Sequence, residues 1–395
     1  MLNAVHMPVP DAELRRRQDL ALSVMEKNGV DAVIMFTWGD MVAGPIKWLS
    51  GVAHYYSLGA VMDKECFAIF RSGDEYPIDA DMPVVKKGET QLPHRVWSCA
   101  YVPGMTHAVE SFGKAMEIYI RKRGFKKLGW FGLNYINAAI YKYLTENLKD
   151  LEFVDLTAAM DEVRLVKGEY EMERYKHVVY IHDRLLDFCY ASLRPNMTNR
   201  MLDREVLNKA MEMGCVEFNT SLIRSWRGDR ALGVDEQYQI GDYVYMLIEV
   251  AGPSGEWGEI ARLFRIGMEP EKIWVERSDK LLEMQKKVAK ACVPGAVAEE
   301  VFEYCKKLQA EAGFFPESRM CIHGQGVDIV DLPTFTPGDK TVLKEGMFIA
   351  IHPAWAHEAK GSVAPYFSYT DNFVIEKDGA HLLNKNPQKI FTVEV

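Results

Sequence analysis

A chain of 395 residues with 48% apolar and 26% charged residues has an ordinary globular composition and is long enough for two cores. Its formal net charge of −9 argues against nucleic acid or an anionic membrane surface as partner, and no run approaches the roughly 18 apolar residues of a membrane helix. The seven cysteines (66, 99, 189, 215, 292, 305 and 321) are odd in number, scattered and without a CxxC pair, which speaks against a disulfide framework or a structural zinc site. The start, MLNAVHMPVPDAELRRRQD, lacks the apolar centre of a signal peptide, so a cytoplasmic chain is expected.

Residues 11–28 set Leu14, Leu20, Leu22 and Met25 among charges at helical spacing, and Gly29 suits the end of that helix. VDAVIMFT, 30–37, reads as a buried strand. The stretch IKWLSGVAHYY, 46–56, reads locally as a strand end with surface aromatics. CFAIFRSGDEYPI, 66–78, reads as two strands around Ser72–Gly73. A helix over 105–123, a strand over 126–132 and a helix over 135–148 complete an α/β pattern. A strand and then a long amphipathic helix follow within 151–202.

Four later segments carry the chemistry. They are GDYVYMLIEVAGPSGEWGEIARLFRIG, 241–267; HGQGVDIVDLP, 323–333; GMFIAIHPAW, 346–355; and YTDNFVIEKDG, 369–379. In this order they resemble the active-site strands of the pita-bread superfamily, which holds methionine aminopeptidase, aminopeptidase P, prolidase and creatinase. A second resemblance lies upstream, where Val154, Asp155, Arg164, Lys167 and Glu171 are similar to the "V-D … R-x-x-K-x-x-x-E" passage that ends the N-terminal domain of creatinase and prolidase relatives. The resemblance implies an α/β, creatinase/prolidase-like N-terminal domain over 1–161 and an α+β pita-bread catalytic domain, creatinase-like, over 162–395. It also implies a homodimer. The 46–56 stretch resembles the family's "YLTG" element, which makes His54, Tyr55 and Tyr56 candidate substrate contacts near a partner's active site.

The resembled metallopeptidases hold two metal ions with two Asp, one His and two Glu. The first Asp is expected five residues after the Asp of a Gly-Asp turn; Gly241–Asp242 is that turn, and the position is Leu247. Glu249 is the nearest carboxylate; it shares a strand face with Leu247, and a bulge would bring it into the site. A Glu inside MLIEVAG is costly to bury without a partner, so it should face a polar cavity or a cation. Glu259, Arg262 and Phe264 match the family's "D-x-x-R-x-F" pattern with Glu for Asp. His323 stands at the His ligand, and Gly324 and Gly326 would let the backbone approach a ligand closely. Val330 replaces a further His, His352 precedes Pro353 where an "E-P" glutamate is expected, and Thr370 takes the last Glu position, with Asp371 and Asn372 in register.

Such a set lacks the bridging carboxylates that balance two divalent ions. The expectation is therefore a site without cofactor, with Glu249, Glu259, His323 and His352 as catalytic residues. The alternative is a single zinc, iron or manganese ion on Glu259, His323 and His352. Arg262 is read either as a clamp for a substrate carboxylate or as an internal partner of Glu259. Trp257, Trp355, Tyr366, Thr370 and Asp371 are further candidate substrate contacts, the aromatic rings suiting a cationic substrate or simply packing. The leading functional expectation is a creatinase-like, metal-independent hydrolase that cleaves a C–N bond of a small polar non-peptide molecule. The alternatives are an Xaa-Pro aminopeptidase or prolidase-like metallohydrolase and an inert small-molecule-binding protein on the same scaffold.

Overall fold

The computed structural model describes residues 9–37, 44–51, 58–65, 67–72, 95–99, 106–219, 222–315, 320–356 and 365–395. The chain divides into two compact units, residues 7–164 and residues 165–395; the sequence reading divides it at 161/162.

The first unit is α/β. Its helices are α1 (Asp11–Asn28), α2 (Gly44–Ser50), α3 (Thr106–Arg123), α4 (Ala138–Asn147) and α5 (Thr157–Glu162). Its strands are β1 (Ala32–Phe36), β2 (Leu58–Asp63), β3 (Phe67–Ser72), β4 (Arg95–Cys99), β5 (Lys127–Phe131) and β6 (Glu152–Asp155), in the sheet order β4-β3-β2-β1-β5-β6. α1 stops at Gly29, which adopts a left-handed φ of 62° that costs glycine little. Ile34, Phe36, Val61 and Phe70 of the sheet pack with Met116, Ile120, Ile140 and Leu144 of α3 and α4. Two local expectations change. Residues 46–50 are helical, within α2, and β3 pairs with β2 and β4, while the second strand expected after Ser72–Gly73 lies outside the described residues.

The second unit is α+β. It comprises α6 (Glu169–Ser192), α7 (Asn199–Glu212), β7 (Glu217–Phe218), β8 (Leu222–Arg227), β9 (Arg230–Ala231), β10 (Tyr243–Ala251), β11 (Trp257–Ile266), α8 (Lys272–Ala291), α9 (Ala298–Glu311), β12 (Ile322–Gly324), β13 (Phe348–Ile351), β14 (Ala354–Ala356), β15 (Tyr366–Ser368), β16 (Asp371–Glu376), β17 (Gly379–Leu382) and β18 (Phe391–Val393). One sheet runs β18-β11-β10-β8-β9, a second runs β12-β13-β16-β17, and β14 pairs with β15. Alternation along β10 sends Val244, Met246, Ile248 and Val250 into the core with α6 and α7, and Tyr243, Tyr245 and Leu247 into the core with α8 and α9. Glu249 continues the second set.

The two sheets are stitched where β11 meets β16. Ala261 N donates to Thr370 O at 3.1 Å. The Arg262 guanidinium donates to Asp371 Oδ1 at 2.7 Å, and both side chains are fully buried. It also donates to the carbonyls of Ala261, Thr370, Asn386 and Pro387, while Gln285 and Gln388 donate to the second Asp371 oxygen. Arg262 and Asp371 are therefore spent on each other. Neither clamps a substrate, and Arg262 does not pair with Glu259. Asn372 grips the neighbouring peptide: its Oδ1 accepts from Glu259 N at 3.2 Å and its Nδ2 donates to Glu259 O at 2.7 Å. Asn384 bonds to Asn372 and to Asp183 of α6, which also accepts from the amides of Lys385 and Asn386.

Removing one member of a buried ion pair leaves the other charge uncompensated, at a cost of about 3–5 kcal/mol. Arg262→Met should lower unfolding free energy by that order in urea denaturation, and Asp371→Asn somewhat less, since the amide still accepts one bond. The double variant Arg262→Met/Asp371→Leu should recover part of the loss.

Candidate metal and acid–base site

Glu249 and Glu259 are direct cross-strand partners in an unbroken β10–β11 register. No bulge is needed to bring Glu249 in; the pairing alone does it. The two carboxylates hydrogen-bond, and Asn219 Nδ2 donates to Glu249 Oε2 at 2.8 Å. Burial and then the neighbouring Glu259 charge push the Glu249 carboxyl up to about 8. Burial would also raise Glu259, but the His323 and His352 imidazoles outweigh it and hold that carboxyl down. The pair therefore favours one shared proton over two ionised carboxylates.

His323 lies on β12 and His352 just after β13, its antiparallel neighbour. Their Nε2 atoms are 3.5 and 3.6 Å from Glu259 Oε1, and their ring centroids are 5.1 Å apart. His323 Nδ1 sits 2.9 Å from the Gly324 carbonyl. That contact fixes a hydrogen on Nδ1 and leaves Nε2 facing Glu259, so that loss of the Nε2 proton would give the tautomer a metal-ligating imidazole adopts. Burial disfavours the charged ring, yet the Glu259 carboxylate raises the His323 imidazole above its usual value. Gly324 and Gly326 serve a different close approach from the one expected: a Cβ on Gly324 would collide with the Leu332 carbonyl, and one on Gly326 with the Asp331 carboxylate. They let the chain fold back on itself beside the site.

The three groups fit one metal ion. Glu259 Oε1 is buried and accepts no hydrogen bond, an expensive state for a carboxylate oxygen unless a cation faces it. Ligand bonds of roughly 2.0–2.1 Å in a tetrahedral site put ligand atoms roughly 3.3–3.4 Å apart, close to the two spacings found. Glu259, His323 and His352 form a cluster whose ligand atoms all lie within 4.8 Å of one another. Beside this cluster, among the described residues, the other two expected ligand positions offer no carboxylate: Leu247 is in the apolar core, and the Thr370 hydroxyl bonds to Ser368 at 3.1 Å.

The remaining candidates are placed as follows. Trp257 is fully buried beside the cluster, with Nε1 unpartnered. Trp355 and Tyr366 are buried rings on the β14–β15 pair. Both have a face covered by an arginine of the chain itself, Arg277 at 3.9 Å and Arg224 at 4.0 Å. Aromatic walls for a cationic substrate are thus not what the site offers. His54, Tyr55 and Tyr56 lie outside the described residues. Asn372 and Asn219 were missed as supports for the two carboxylates. Asn372 was visible as the third residue of the Thr370–Asp371–Asn372 run; nothing in the sequence marks Asn219.

The model of metallopeptidase family M24 matches residues 173–378. The Xaa-Pro dipeptidase of Pyrococcus horikoshii is 28% identical over 385 residues, covering 93% of this chain and 97% of that protein. The Xaa-Pro dipeptidase of Pyrococcus furiosus is 24% identical over 393 residues, covering 95% and 100%. Among solved structures, an X-Pro aminopeptidase from Thermotoga maritima superposes with a TM-score of 0.76 at 16% identity, over 96% of this chain and 99% of the other. The Pyrococcus horikoshii prolidase gives 0.74 at 21% identity, over 95% and 99%. These structures establish the two-domain pita-bread fold. A metallopeptidase match over the strands that bear Glu259, His323 and His352 overturns the expectation of a site without cofactor. The matched span covers just over half of the chain and takes in every strand of the cluster, so the chain belongs to metallopeptidase family M24.

Proposed function

We propose that the chain is a metal-dependent dipeptidase of Xaa-Pro type, with one divalent ion held by Glu259, His323 and His352. The observation that carries this is the convergence of two imidazole nitrogens on a carboxylate oxygen with no hydrogen bond of its own. The two Pyrococcus relatives, both Xaa-Pro dipeptidases that align over nearly their whole length, support a peptide substrate. It favours that substrate over the small non-peptide one expected from a creatinase-like site.

An ion in this position would supply Lewis acidity for attack of water on a peptide carbonyl. The chain supplies the rest. Hydrolysis adds the water oxygen to the acyl carbon, breaks the C–N bond and puts a proton on the leaving nitrogen. Glu249 is the group that holds and delivers that proton, because its carboxyl shares one with Glu259 and is oriented by Asn219. Glu259 is fixed from behind through its own peptide by Asn372, so its carboxylate cannot drift from the two imidazoles.

Elemental analysis of protein purified without chelator should find about one divalent transition ion per chain. His352→Ala and Glu259→Gln should each lose it, while Glu249→Gln keeps it. A chain that takes up no zinc, manganese, iron or cobalt, or whose uptake survives both ligand variants, would end the proposal.

On Xaa-Pro dipeptides, Glu249→Gln should cut kcat by roughly 10²–10⁴ while KM changes little, because the amide keeps the shape and loses the transferable proton. A variant with kcat within about tenfold of the parent would exclude Glu249 as the proton carrier.

A further inference from the structure

His323 is oriented by a turn of the chain, and a buried lysine holds that turn. The Gly324 carbonyl that faces His323 Nδ1 at 2.9 Å also accepts from Asp331 N at 2.9 Å. Gly324 N donates to Pro333 O at 2.7 Å, so the chain after β12 doubles back, with Gly324 and Asp331 facing each other as an antiparallel bridge. Inside this turn the Asp331 carboxylate fills the space a side chain on Gly326 would need, since a Cβ there would collide with Oδ2. The same Oδ2 accepts from the Lys167 ammonium at 3.2 Å.

Lys167 is fixed in its turn. Its side chain is 3% exposed, against 11% for Asp331. Its backbone N–H donates to Gly346 O at 3.1 Å, and Val166 bridges Met347. The ammonium lies 5.6 Å from the centre of the Tyr175 ring, which stacks on Phe348 of β13 at 4.5 Å. Phe348 O accepts from Gln325 N at 3.0 Å, and Gly326 O accepts from Trp257 N at 2.8 Å, two residues before Glu259 on β11. The turn is thus bonded to the strands that carry or precede all three members of the cluster. A buried ammonium beside a carboxylate serves stability in any fold. The shared carbonyl adds a second role here: Asp331 N–H and His323 Nδ1–H sit on one oxygen, so a shift of Asp331 moves the acceptor that orients the imidazole.

We propose that Lys167 is a positioning residue for the ion site: through Asp331 it keeps the Gly324 carbonyl on His323 Nδ1 and so keeps His323 Nε2 directed at Glu259. This rests on the reading of Glu259, His323 and His352 as ligands of one ion. Lys167 itself touches neither ion nor substrate. Its removal would leave the Asp331 carboxylate half-buried without its cation, and that charge would draw residue 331 toward water and away from Gly324.

Two readouts on metal-free protein test this. Zinc affinity is measured by competition with a chromophoric chelator, and water exchange of the His323 Nδ1–H proton by NMR of histidine-labelled protein, the signal being assigned by its loss in His323→Gln. Lys167→Met should bind zinc about 10–100-fold more weakly, the range for losing an outer partner of a metal ligand, and its Nδ1–H proton should exchange faster than in the parent. Arg17→Met is the control, because it breaks a buried ion pair of the first unit, Arg17 to Glu13 at 2.7 Å. It should lower stability in urea and leave both readouts unchanged. A folded Lys167→Met that keeps either the parental zinc affinity or the parental exchange rate overturns the proposal, and so does an Arg17→Met that loses as much zinc affinity. Should Lys167→Met fail to fold, Asp331→Asn is judged by the same two readouts, since its amide keeps the shape and gives up the charge. Neither readout uses a peptide, so a failure of the dipeptidase reading leaves them intact. If the parent takes up no zinc, the ion site falls and the exchange rate alone decides: faster exchange in Lys167→Met supports Lys167 as the residue that orients His323, and an unchanged rate overturns it.

Discussion

The antiparallel register of β10 against β11 is the constraint on which the site rests. It puts Glu249 opposite Glu259, so that both carboxylates lie on one face of the sheet. Because side chains alternate with period two, a slip of one residue between the strands would put the two carboxylates on opposite faces. The register is held from outside the hairpin as well. Asn372 occupies both the N–H and the C=O of Glu259, and Ala261 is tied to Thr370 one step further on.

Behind that register lies a polar core of unusual density. Arg262, Asp371, Gln285 and Gln388 satisfy one another, and Asn372, Asn384 and Asp183 extend the network to α6. Buried polar groups that are fully bonded rigidify a structure, while one left unbonded is costly. Against this background Oε1 of Glu259 is a buried carboxylate oxygen without a hydrogen bond that faces two imidazoles. A cation held by these three groups would balance that oxygen's charge.

The electrostatics of the surrounding walls run opposite to what aromatic content suggests. Trp355 and Tyr366 are rings a cation could stack upon, and the chain stacks its own arginines there.

Much was legible in the sequence. Periodicity gave the α/β unit and the long helix at 169–192, and the order of four motif segments gave the pita-bread domain, because local spacing decides strands and turns. The same motifs named Glu259, His323 and His352, and the shared face of residues 247 and 249 named Glu249. What the sequence could not decide was which polar groups satisfy one another. Arg262 is three residues from Glu259 and 109 from Asp371, yet it pairs with Asp371. Nor could it show that Asn219 holds Glu249, or that the two aromatic rings are already covered. Those outcomes depend on contacts between strands distant along the chain, and only packing assigns each buried charge its partner.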